Sequence, residues 1–127
     1  MPTPVEQQIT FVYVRDLNAS AAFYGGVLGL PLARDQGGCL IYRAAPNAYL
    51  GVCRREDVTP QTGSLILTLV TDDVEGWHAQ AQKAGAHIDT PPTHNDHYRI
   101  THCFLRDPDG YRIEIQRFDD PLDGAGD

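Results

Sequence analysis

Glu114, His102 and Gln116 are the residues whose types and spacing suit chemistry best. They flank the turn Asp107-Pro108-Asp109-Gly110. Pro108 presets φ for a turn, and Gly110 supplies the positive φ that closes a three-residue hairpin loop with a bulge. That register pairs Asp107 with Tyr111. It sets Arg106 opposite Arg112, Phe104 opposite Glu114 and His102 opposite Gln116. Side chains alternate along a strand, so His102, Phe104, Arg112, Glu114 and Gln116 share one face, and Ile113 and Ile115 point to the other. An imidazole beside a carboxylate can move a proton, so His102 and Glu114 are the candidate catalytic pair. Arg112 and Arg106 can hold an anionic ligand or neutralise Glu114. A face of this composition is otherwise simply solvated. His94 and His97 lie in the polar stretch 90–97. With His102 and Glu114 they form an alternative, non-standard metal constellation.

The elements that position these residues repeat. Ile9–Arg15 reads as a strand. A helix over 19–28 follows, capped by Asp16 or Asn18 and stopped at Gly29. Strands are predicted at 30–35, 39–43 and 48–53. After a polar linker at 56–62 the order returns. It gives a strand at 65–71, a helix opened by Asp72 and Glu75 at capping-box spacing, and Gly85 as its stop. A short strand at 86–89, a loop at 90–97 and strands at 98–106 and 111–118 complete it. Asp16 matches Asp73 and Gly29 matches Gly85. The fold class is therefore α+β, with two βαβββ modules at about 8–55 and 64–118. Neither module buries a sheet face alone. We expect one curved, cup-like eight-stranded sheet with helices outside, in a single domain over 1–127. Residues 119–127 read as a flexible acidic tail.

Composition excludes several classes. With 17 acidic and 10 basic residues the formal charge is −7, and no basic run occurs. That argues against nucleic acid and anionic membranes. No apolar run approaches a membrane span, and no signal peptide is read. Cys39, Cys53 and Cys103 are an odd set without a Cys-x-x-Cys. They read as small buried hydrophobes in a reducing compartment, and a cytoplasmic location follows.

Val14-Arg15-Asp16-Leu17, Phe23-Tyr24, Leu28-Gly29-Leu30 and Asp107 to Glu114 together resemble the vicinal oxygen chelate superfamily. That superfamily holds glyoxalase I, bleomycin-resistance proteins and extradiol dioxygenases. The likeness spans about residues 8–118. It implies a cup and, in the enzymes, a divalent ion held by four inward positions. These map to Ile9, Ile66, Gly51 (or Val52) and Glu114, of which only Glu114 can ligate. No cofactor is therefore predicted. The cup is expected to be lined by Phe11, Tyr13, Tyr49, Thr68, Phe104 and Phe118, with Arg112 and Gln116 also touching the ligand. The expected function is binding of a small aromatic or planar molecule without the usual metal centre. The alternative is a lyase, isomerase or dioxygenase with a divergent site around Glu114 and His102, and whether a reaction is catalysed stays open. The resemblance also implies a homodimer.

Overall fold

A computed structural model describes residues 2–122. Contacts within the chain gather into two units, Met1–Pro60 and Gln61–Asp127. Each holds one four-stranded sheet. The part of the expected tail at 123–127 lies outside the described residues.

The first unit contains β1 (Gln8–Val14), β2 (Leu32–Asp35), β3 (Cys39–Ala45) and β4 (Ala48–Arg54) in the order β1-β4-β3-β2. Strand β1 runs parallel to β4, and the other pairs are antiparallel. Helix α1 (Leu17–Ala21) is capped by Asp16, which accepts from the backbone N–H of Asn18 and Ala19. The chain then widens into π-helical turns over Ala22–Val27, where a uniform helix to Leu28 was expected. Leu28 N–H reaches back five residues to the Phe23 carbonyl, at 2.9 Å. Gly25 lies inside these turns against the Tyr42 ring, where an added Cβ would come within 3.3 Å. Gly29 ends them at φ 67°. Val12, Val14, Leu40, Tyr42, Leu50 and Val52 alternate onto one face and are buried with Phe23, Tyr24 and Leu28. Tyr24 stacks on Tyr42 with ring centres 6.1 Å apart.

The second unit repeats the order as β5-β8-β7-β6. Its strands are β5 (Ile66–Val70), β6 (His87–Asn95), β7 (Ile100–Arg106) and β8 (Arg112–Phe118), and α2 spans Val74–Lys83. Asp73 caps α2 by accepting from Gly76 N–H at 3.0 Å, so the cap falls one residue after the expected Asp72. The repeat of Asp16 with Asp73 is thereby functional at both helix starts. Leu67, Cys103, Leu105, Ile113 and Ile115 alternate onto the face that α2 covers with Val74 and Ala81. The eight strands pair four and four within the units, and no ladder among the described residues joins them into one continuous sheet.

Three local expectations are corrected. Strand β6 runs through the predicted loop as far as Asn95. It is an edge strand with register shifts around Pro91 and Pro92, and an edge tolerates residues without an N–H. His94 therefore sits on a strand, paired with Thr101. Cys39 and Cys53 are not separate buried thiols. They are directly opposed on β3 and β4 and form a disulfide. With that bridge, the cysteine count no longer argues for a reducing compartment. Cys103 is the free thiol among the described residues, and burial pushes it up to about 11. The residues near the tail are tied in at Asp119, which donates from its N–H to the Arg99 carbonyl and accepts from His94. Among the described residues no helix is long and apolar enough to cross a membrane.

Candidate functional site

The hairpin register is as the turn chemistry requires. Asp107 N–H donates to Tyr111 O at 3.0 Å, and the Asp107 carboxylate accepts from the N–H of Asp109 and Tyr111. Gly110 takes φ 97°. Phe104 then faces Glu114, and His102 faces Gln116. Parallel pairing of β5 with β8 adds Thr68 beside Glu114. The sheet face away from α2 thus gathers Thr68, His102, Phe104, Arg112, Glu114 and Gln116.

Glu114 is 8% exposed, and three side chains present donors to its carboxylate. Thr68 Oγ1 donates to Oε1 at 2.8 Å. His102 Nδ1 lies 2.6 Å from Oε2. A carboxylate accepts, so Nδ1 carries the hydrogen, and in the neutral ring the lone pair is then on Nε2. With its amide nitrogen toward the carboxylate, Gln116 donates to Oε2 at 2.8 Å and to Oε1 at 3.1 Å. Such a satisfied network lets a buried acid persist inside a fold. The His102 ring meets Phe104 edge-on with centres 5.0 Å apart. Arg112 lies over the Phe104 ring at 4.3 Å, and its buried Nε has no hydrogen-bond partner. Arg106 is committed elsewhere, to Asp89 and the Gly110 carbonyl.

In the first unit the corresponding face holds Ile9, Phe11 and Tyr13 on β1, beside Tyr49, Gly51 and Cys53 on β4. The pairing of Phe11 with Gly51 matches that of Thr68 with Glu114. Gly51 is buried, and the Phe11 ring occupies the space a side chain there would take: a Cβ would lie 2.4 Å from the ring. Phe11 is 49% exposed, Tyr13 41% and Ile9 38%. Arg55 lies over the Tyr13 ring at 5.0 Å, and Arg43 over Tyr49 at 5.3 Å. Tyr49 itself is buried and accepts from Gln7 at 3.3 Å. A groove of about 260 Å³ opens here between Gln7, Ile9, Ala33, Arg34, Ile41, Arg43 and Tyr49. Sequence reasoning named only Tyr49 of these as a ligand contact. Carrying the register from Gly51 to Ile41, and from Tyr49 to Arg43, would have found two more.

The four positions that the resemblance assigns to a metal do not suit one. Ile9, Ile66 and Gly51 offer no donor atoms, and Glu114 spends its oxygens on three side chains. Nor do His94, His97, His102 and Glu114 converge. His94 is held by Asp96 and Asp119, the His97 ring packs on Tyr98, and His102 is bound to Glu114. Among the described residues no three His, Cys, Asp or Glu side chains cluster as metal ligands do.

Comparison with known proteins agrees with this architecture. No curated protein matches the sequence. Solved structures match at the level of the fold. A glyoxalase/bleomycin resistance protein/dioxygenase from Nocardioides aligns with a TM-score of 0.75 at 15% identity, over 93% of this chain and 85% of the other. TioX from Micromonospora sp. ML1 gives 0.73 at 18% identity, over 87% and 97%. A glyoxalase-related enzyme from Fulvimarina pelagi gives 0.72 at 22% identity, over 89% and 88%. The family model of the glyoxalase/bleomycin resistance protein/dioxygenase superfamily matches residues 7–115, and the chain belongs to that superfamily.

Proposed function

We propose that this protein binds a small aromatic or planar molecule without a catalytic metal. The observation that carries the reading is the pairing of Phe11 with Gly51. At the register position that holds Glu114 in the other module, this chain lays a half-exposed aromatic ring over a glycine. Ile9 and Tyr13 extend that ring into an apolar row on the same strand. Exposed rings beside a few polar groups are the usual make-up of a small-molecule site. The second unit offers a helix-free face of its own, with Phe104 beside the polar Thr68, Arg112 and Gln116, and there His102 and Glu114 are bonded to each other. Purification without chelator followed by metal analysis, and a thermal-shift screen with planar aromatic compounds, test the reading. We expect no stoichiometric metal and a raised melting temperature with part of the aromatic set. Stoichiometric metal with no aromatic response would overturn it. The same reading takes the chain as a homodimer, supported by outer strands whose backbone groups face outward from each sheet. Sedimentation at high concentration checks this, and a clean 14.0 kDa species would refute it.

A further inference from the structure

We infer that His102 accepts a proton from the bound ligand, that Glu114 positions it for this, and that Arg112 stabilises the oxyanion left behind. The ligand class is then a small aromatic carrying an acidic hydroxyl, a phenol or enol. The inference rests on the aromatic-binding reading above.

Three observations carry it. The first is the tautomer. The bond from His102 Nδ1 to Glu114 Oε2 places a hydrogen on Nδ1, so in the neutral ring Nε2 is the acceptor. Nε2 makes no hydrogen bond among the described residues and is not an enclosed polar atom. It therefore reaches solvent, although the side chain is only 16% exposed. The second is the rigidity of the partner. Thr68 and Gln116 fix the Glu114 carboxylate from two further directions. Turning the imidazole away would strand a buried acceptor, so the ring is held ready. The third is charge. Arg54, Arg55, Arg99, Arg106 and Arg117 each bind a carboxylate, in a chain with excess acid. Arg112, like Arg34 and Arg43, binds none among the described residues. Its guanidinium lies over Phe104, the ring that His102 meets edge-on, and its Nε is buried without an acceptor.

The step balances without a co-reactant. The ligand O–H bond breaks and an N–H bond forms at Nε2. The electron pair stays on the ligand oxygen, beside the Arg112 cation. The resulting imidazolium donates from Nδ1 to Glu114, which stabilises it.

The test uses 4-nitrophenol, whose phenolate absorbs in the visible, and 4-nitroanisole, which has the same ring and no acidic proton. Both are titrated into the full chain below the pH at which free nitrophenol ionises. We expect the phenolate band to appear on binding, and nitrophenol to bind at least about tenfold more tightly than the ether. His102→Gln should abolish the band and bring the two affinities together. Arg112→Met should weaken the phenol and spare the ether. Histidine nitrogen shifts should report the hydrogen on Nδ1 in the free protein. A phenol and an ether bound equally by the wild type, without the band, would overturn proton acceptance and leave aromatic binding standing. Binding of neither probe would overturn both. A band unchanged in a folded His102→Gln would assign the proton to another group and refute the inference.

Discussion

Replacing Glu114 by Gln probes the polar network with the smallest change of shape. Three side chains donate to this carboxylate at 2.6 to 3.1 Å. An amide keeps one accepting oxygen but presents an NH₂ where a donor now sits. The neighbours can answer. The Thr68 hydroxyl can rotate, and His102 can move its hydrogen to Nε2 so that Nδ1 accepts. The network therefore survives with neutral bonds. Hydrogen bonds to a charge contribute about 1.5–3 kcal/mol each and neutral ones about 0.5–1.5. Relief from burying a charge offsets part of the loss. We expect a net cost of about 1–2 kcal/mol, which is about 1 M in a urea midpoint for a domain of this size. Urea unfolding followed by circular dichroism measures it, and histidine nitrogen shifts report the tautomer. Unfolding at the wild-type midpoint with an unchanged tautomer would refute the network. A loss well above about 3 kcal/mol would mean that Glu114 neutralises a cation in the free protein, a protonated His102 included, and would refute the neutral network.

Four further outcomes follow from particular contacts. Gly51→Ala should drive the Phe11 ring off its strand, cost about 1 kcal/mol net in thermal unfolding, and weaken aromatic ligands, since a Cβ would sit 2.4 Å from the ring. The hydrogen bond that His94 donates to Asp119 raises its imidazole above the ordinary 6.5. A raised imidazole contributes stability that is complete below about pH 6.5 and is lost as pH rises through its higher folded value, so a proton NMR titration should place His94 above 6.5 and Asp119→Asn should lower it. Reducing the Cys39–Cys53 bridge, whose residues are 14 apart, should cost about 3 kcal/mol, read as a urea midpoint that falls with reductant in the wild type but not in Cys53→Ser. Cys103 should resist a thiol reagent in the folded chain and react on unfolding, because burial pushes it up to about 11.

Local turn chemistry made much of this fold readable. The loop Pro108-Asp109-Gly110 admits one register, so a single turn assigns every side chain of β7 and β8 to a face. The repeat of Asp16 with Asp73 exposed the second module for the same reason, a cap chemistry that recurs. The turn after β3 carried no such constraint. Asn47 takes φ 67° there, and a bulge falls between Arg43 and Ala45. The opposition of Cys39 and Cys53 was hidden behind that irregular register. Strand β6 was lost because Pro91 and Pro92 signal a loop unless the strand is known to be an edge. At the site, His102, Glu114 and Gln116 were legible from alternation. The bonds that matter, to Thr68 across a parallel pair and from Nδ1 rather than Nε2, depend on non-local register and ring orientation.

The proposed binding rests on the exposed row Ile9, Phe11 and Tyr13 of β1. Its most direct test is a calorimetric titration of chelator-treated wild type and Phe11→Ala with the strongest aromatic compound from the thermal-shift screen. We expect saturable binding that chelation leaves unchanged and that Phe11→Ala weakens by about tenfold or more. Binding that appears only when a divalent ion is restored, or that survives intact in Phe11→Ala, would contradict the proposal.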